Sequence, residues 1–146
     1  MVWVNTFKQQ IKVQIKDNGT GMDAETVKRV TDPFYTTRTT RKVGLGIPFF
    51  KREAECTGGS FSISSVLGQG TDIQAIFCTD HIDCMPLGNL NETVYSLIVM
   101  HPDIEFYYGY QVNEAEFHLD TKEMREMLGD IPLDTPEISS FIRDYL

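Results

Sequence analysis

The stretch Ile11-Lys12-Val13-Gln14-Ile15-Lys16, running directly into Asp17-Asn18-Gly19-Thr20-Gly21-Met22, decides the fold. Its first half alternates apolar and polar residues, the period of a half-buried strand. The second half ends that strand with an Asp-Asn-Gly turn and a second glycine. Asp17 therefore stands at a fixed sheet edge, where its carboxylate can accept a hydrogen bond from an exocyclic amine such as that of adenine. Gly19 and Gly21 let the backbone bend and let a flat ring approach closely. Taken alone, Asp-Asn-Gly is also ordinary turn chemistry.

Working outward, Val2 and Val4 form a short partner strand, with a turn in residues 6–10. Asp23 caps a short helix carrying Val27 and Val30, which must stop before Pro33. Asp32-Pro33-Phe34-Tyr35 then leads into residues 36–42, which have no periodicity and read as a loop. There Arg38, Arg41 and Lys42 are interleaved with the hydroxyls of Thr36, Thr37, Thr39 and Thr40. Planar guanidinium forks and a lysine point charge suit a polyphosphate, although a solvated basic loop has the same composition.

Gly44-Leu45-Gly46 opens a second helix with Pro48 in its first turn, where a missing N–H costs little. Free amides and the positive end of the helix dipole make such a start an anion site. Ile47, Phe50 and Ala54 share a face, and Gly58 or Gly59 ends the helix. Two strands follow, at 60–66 and 71–78, joined by the turn Gly68-Gln69-Gly70-Thr71; Ile73, Ala75 and Phe77 face one way.

Beyond Pro86, Leu90, Val94, Leu97 and Ile98 make a helical stripe that ends at His101-Pro102. Ile104 to Val112 alternate as a strand, with Phe117 and Leu119 in its hairpin partner. Asp120 with Glu123 is a capping-box pattern ahead of Met124, Met127 and Leu128, all expected in a helix core, and Gly129 closes that helix. Thr135-Pro136 starts a last helix, with Ile138, Phe141, Ile142 and Tyr145 on one face. The stripe Tyr107, Tyr108, Tyr110 reads as sheet packing, and Cys56 as a small core residue.

Composition bounds the function. The chain has 146 residues, 41% hydrophobic, with a formal net charge of −8. That is too apolar for a disordered chain, and no run approaches the ~20 residues of a membrane span. An acidic balance argues against a nucleic-acid partner. The charge is split: residues 1–78 carry a net +3 and residues 79–146 a net −11. This asymmetry marks an anion-holding first segment, 1–78, and an acidic appendage, 79–146, that is a solvated face or a docking surface. No secretory signal is evident, and three cysteines suit a reducing cytoplasm. Cys78-x-x-His81-x-x-Cys84 has the spacing of three zinc ligands but no fourth close by, so no metal is assigned.

The four glycine- and phenylalanine-centred elements, in this order and spacing, resemble the GHKL superfamily of ATP-binding domains found in bacterial histidine kinases, gyrase B and MutL. Asp17 to Met22 is similar to its first glycine box, Asp32 to Tyr35 to its phenylalanine box, Gly44 to Gly46 to its second glycine box, and Gly68 to Thr71 to its closing Gly-x-Gly-Thr. The likeness is greatest to small stand-alone ATP-binding proteins of the histidine-kinase branch and weaker to anti-sigma-factor kinases. It implies an α+β fold, a two-layer α/β sandwich with a small α+β appendage. Asp17 would hold the adenine amino group, with Thr71 supporting it through water, and Gly19 and Met22 would line the base pocket. The loop from Arg38 to Lys42, with Arg41 in it, would be the ATP lid, and Gly44 and Gly46 would meet the phosphates of ATP or ADP; Asn18, Gly21, Phe34, Thr37 and Leu45 are also expected among the nucleotide-binding residues.

The resemblance also calls for a helix before Ile11, bearing an asparagine that ligates Mg²⁺. Only ten residues precede Ile11, and Asn5 is the sole asparagine among them, without helical context; Asn18 is a poor substitute. The helix is expected to be missing, leaving Mg²⁺ without its usual ligand, ATP binding weak, and apolar surface exposed for a protein partner or a second copy. The catalytic residues stay unassigned. The expected function is an ATP-binding module of histidine-kinase type, working as phosphotransferase or ATPase on a partner in trans; the alternative is a non-catalytic, anti-sigma-like regulator.

Overall fold

A computed structural model describes residues 1–35, 44–129 and 131–146. The chain forms two compact units, Met1–Cys84 and Met85–Leu146. Both are mixed α+β, as the sequence implies.

In the first unit, β1 (Val2–Asn5) and β2 (Gln10–Asp17) form an antiparallel hairpin, Val2 facing Val13 and Val4 facing Ile11. After α1 (Ala24–Arg29) and α2 (Gly46–Cys56), strands β3 (Ser60–Val66) and β4 (Gly70–Cys78) complete an antiparallel order β3-β4-β2-β1. The register of β2 on β4 pairs Ile11 with Phe77, Val13 with Ala75 and Ile15 with Ile73, so the alternating apolar residues share one face. Helix α2 lies against β3 and β4 and α1 against β3. The Phe50 ring meets Phe61 edge-on at 6.5 Å and Phe77 at 5.5 Å. Ala54 and Ala75 are fully buried. Ile15 is on the same face as buried Ile11 yet is 55% exposed, so the apolar face thins out towards Asp17.

Asp23 caps α1 as expected, its carboxylate accepting from the Thr26 amide at 2.7 Å. That bond, then the Thr26 hydroxyl, holds the carboxyl below its usual range.

The second unit holds α3 (Leu90–Met100), the hairpin of β5 (Tyr107–Val112) and β6 (Ala115–Asp120), α4 (Thr121–Leu128) and α5 (Pro136–Tyr145). Its core is Ile98, Leu119, Met124, Leu133 and Ile142. Several expectations are corrected. Strand β5 starts at Tyr107, because Ile104 turns back, its amide donating to the His101 carbonyl at 3.0 Å. Asp120 caps α4 through the Lys122 amide at 2.8 Å, and not through that of Glu123. Met127 is 80% exposed and Leu97 also faces solvent, since each stripe is wider than the surface it meets. Phe141 and Tyr145 are half exposed and stack on each other at 6.0 Å, and Cys56 is exposed.

Two outcomes follow for stability. Ile142→Ala, deleting a fully buried side chain, costs about 2–5 kcal/mol in urea unfolding, whereas Met127→Ala stays within about 0.5 kcal/mol. For Asp23 the cap is fully stabilising above the ordinary aspartate pKa and is lost as pH falls through the depressed native value; Asp23→Asn removes that acid-sensitive part, read as a flatter melting-temperature profile at low pH.

Candidate nucleotide-binding site

Strand β2 ends at Asp17, and the antiparallel register sets it directly opposite Thr71 at the start of β4. Opposed residues in such a ladder point to the same side, so a carboxylate and a hydroxyl share one sheet edge. The Asp17 side chain is exposed, and its Oδ1 accepts from the Gly19 amide at 2.8 Å, which curls the loop back over the strand end. Its Oδ2 has no hydrogen-bond partner among the described residues.

The glycine loop is sewn to the β3–β4 turn by backbone. The Gly68 amide donates to the Thr20 carbonyl at 2.7 Å, while within the turn the Gln69 amide donates to the Val66 carbonyl at 2.9 Å. Gly21 has φ +62°, and a Cβ there would lie 2.0 Å from the Val66 carbonyl oxygen. Gly70 has φ +109°, and its Cβ would lie 2.0 Å from the carbonyl oxygen of Asp17. These two glycines are needed for backbone to meet backbone.

Ser65 joins the three segments. Its hydroxyl accepts from the Met22 amide at 2.8 Å, donates to the Gly70 carbonyl at 2.9 Å and lies 3.0 Å from the Thr71 hydroxyl. The sequence reading passed over this residue. The available signal was the period of β3, which puts Ser65 on the same side as Phe61 and Ile63, where a hydroxyl needs a partner.

The other candidate residues are placed as follows. Asn18 is exposed and Met22 half-buried at the loop. Phe34 is 85% exposed; its amide donates to Asp32 Oδ1 at 2.9 Å in a tight turn, and the neighbouring Tyr35 ring takes the Arg29 guanidinium at 4.4 Å. Gly44 and Leu45 precede α2, with Leu45 at the N-cap and Gly46 as its first residue; a Cβ on Gly46 would meet nothing within 4 Å. No acidic residue lies in that first turn, which keeps it open to an anion. Thr37, Arg38, Arg41 and Lys42 lie outside the described residues. A separate cavity of about 420 Å³, bounded by Pro33, Pro48, Phe49, Arg52 and Cys56 among others, includes none of the glycine-loop residues.

The edge fits the amino end of an adenine through an open carboxylate oxygen and a neighbouring hydroxyl. The space at Gly21, expected to admit a ring, is taken instead by the Val66 carbonyl. Magnesium fits less well. Among the described residues no three His, Cys, Asp or Glu side chains converge, Cys78, His81 and Cys84 included. Asn5 lies at the end of β1, and its Oδ1 already accepts from the Lys8 amide at 2.8 Å. The donor set that would bridge a metal to phosphate is not found in these residues. Among them, too, no helix is long and apolar enough to cross a membrane.

Substituting the two kinds of glycine separates their roles. Gly21→Ala adds positive-φ strain of about 1–3 kcal/mol to a backbone collision, lowering the melting temperature. Gly46→Ala meets open space and leaves melting nearly unchanged.

Known proteins similar to this chain include sensor kinases. A protein of Shewanella frigidimarina that bears a sensor-protein description is 46% identical over 66 residues, 44% of this chain and 10% of its own length. Sensor histidine kinase YxdK of Bacillus subtilis is 32% identical over 71 residues, 46% of this chain and 22% of its own. Sensor protein kinase WalK of Staphylococcus haemolyticus is 35% identical over 74 residues, 47% of this chain and 12% of its own. The chain thus spans less than a quarter of the length of these relatives. The sequence profile of the histidine kinase-, DNA gyrase B- and HSP90-like ATPases matches residues 1–81, more than half of the chain, and the chain belongs to that family.

Proposed function

We propose that residues 1–84 bind ATP with the adenine amino group on Asp17 and Thr71, and that the nucleotide serves phosphoryl transfer to a partner protein. The observation that carries this reading is the register placing Asp17 opposite Thr71, with one carboxylate oxygen open. Asn18, Gly19, Gly21 and Met22 border the base, with Phe34 beside it. Gly44, Leu45 and Gly46 offer the α2 amides to phosphate, and the cations Arg38, Arg41 and Lys42, with Thr37, complete the grip from outside the described residues. In the reaction the γ-phosphoryl group leaves ADP for an acceptor side chain or for water.

In this reading the acceptor lies outside residues 1–146. His81 lies in a turn, His101 caps the end of α3, and His118 sits in β6 stacked on Tyr107. None of the three is presented on a helix, as the imidazole of a phosphoacceptor hairpin would be. The residues 79–146, with their net charge of −11, are the proposed docking surface for that partner. The sensor kinases among the relatives support the phosphotransfer reading.

A second reading is a non-catalytic regulator that keeps the fold and binds nucleotide weakly.

Thermal melting with excess ATP and Mg²⁺ tests the shared claim. Ligand at a hundred times Kd stabilises by about 2.7 kcal/mol, and Asp17→Asn abolishes the shift. A shift that survives in Asp17→Asn places the adenine elsewhere. Incubation with γ-labelled ATP separates the two readings: release of phosphate or labelling of an added partner supports transfer, and neither supports the regulator.

A further inference from the structure

The proton count around Ser65 has a consequence for which purine the site accepts. A serine hydroxyl has one proton and two lone pairs. One lone pair takes the Met22 amide at 2.8 Å. The Gly70 carbonyl oxygen, 2.9 Å away, can only accept, so it takes the Ser65 proton. The contact at 3.0 Å to Thr71 Oγ1 is then a hydrogen bond only if Thr71 donates into the remaining lone pair. The reverse sense would set two oxygen lone pairs against each other at 2.9 Å. One arrangement alone satisfies all three contacts, and in it Thr71 spends its proton inward.

We propose that Ser65 is a positioning residue that fixes the Thr71 hydroxyl as a hydrogen-bond acceptor, so that the Asp17–Thr71 edge selects a 6-amino purine over a 6-oxo purine. Asp17 is an acceptor when ionised, and Thr71, held this way, presents lone pairs beside it. An edge made only of acceptors is complementary to the N–H groups of an amino substituent, directly or through a water. It is opposed to a carbonyl oxygen at the same position, which leaves acceptor facing acceptor. Ser65 touches no nucleotide in this scheme and acts wholly through Thr71. The inference rests on the adenine assignment of Asp17 made above.

The test is calorimetric titration of the full chain with ATP and with inosine triphosphate, which differ at the purine 6-position and in the proton that inosine carries on N1. Wild type prefers ATP. In Ser65→Ala the Thr71 proton is free to turn outward, and the ATP-to-inosine triphosphate preference falls by about tenfold, the worth of one such bond. A merely structural role weakens both nucleotides alike and leaves the preference intact, which overturns the proposal. In a Thr71→Val background, Ser65→Ala has no further effect on preference; an additive effect also overturns it. Ser65→Thr keeps the hydroxyl and restores the wild-type preference. Should Ser65→Ala fail to fold, Ser65→Cys carries the same expectation, because sulfur is a weak donor and acceptor. Wild type that binds neither nucleotide overturns this proposal together with the adenine reading. Binding that is lost in Asp17→Asn, with a preference unmoved by Ser65→Ala, overturns this proposal alone.

Discussion

The pairing of β2 with β4 is the constraint on which the first unit depends. Side chains alternate with a period of two, so a slip of one residue would turn Ile11, Val13 and Ile15 away from Phe77, Ala75 and Ile73. The same slip would send Asp17 and Thr71 to opposite faces. Burial of the apolar ladder and assembly of the polar edge are therefore one event. Hydrophobic contacts that stabilise the sheet also set a carboxylate beside a hydroxyl, with no separate device needed to bring them together. The glycines extend that economy into the loops. Gly21 and Gly70 lack a Cβ where one would lie 2.0 Å from a carbonyl oxygen, so the loop and turn close on the strand ends through backbone alone.

The second unit is built on a different balance. Its core is a few fully buried aliphatic side chains under an acidic exterior, and its polar groups are used locally. Thr121 is fully buried, and its hydroxyl takes the Phe106 amide at 2.7 Å, tying the start of α4 to the chain entering β5. Arg125 donates to the carbonyls of Pro102 and Ile104, holding the turn that shortens β5. Its Nε is buried without a partner among the described residues, a local cost of holding that turn. Glu92 and Arg143 pair at 3.7 Å on exposed side chains, which adds little. The stacked pair Phe141 and Tyr145 lies exposed on this net acidic segment.

Much of this was legible in the sequence, for identifiable reasons. Period-two alternation located β2 and β4, and Asp23, Gly46 and Pro136 marked helix starts, because these signals are local. The glycines could be read as turns but not as contacts, since the oxygens they approach come from segments some fifty residues away. Periodicity also overcounted the core. Met127, Leu97 and Phe141 fit their helical stripes, yet a stripe states which way residues point and not how much surface covers them. Ile104 alternated in step with Phe106 and Tyr108, and the turn at His101 overrode that pattern. Ser65 was harder to read for another reason: the period of β3 gives the side it faces, but its three partners lie on other segments.

That last residue shows how recognition and chemistry separate in this fold. Base recognition needs only acceptors and donors held in a rigid relation, and here the rigidity comes from β-ladder register and one shared hydroxyl. Phosphoryl transfer asks for more: charge neutralisation along the phosphates and a group that aligns the acceptor. Among the described residues the proposed base edge is held by the sheet register and by Ser65, and the first turn of α2 carries no acidic side chain that would oppose a phosphate. The pairing that buries the apolar ladder also sets Asp17 opposite Thr71, whereas the head of α2 belongs to a separate element, so the two ends of the proposed site depend on different parts of the fold.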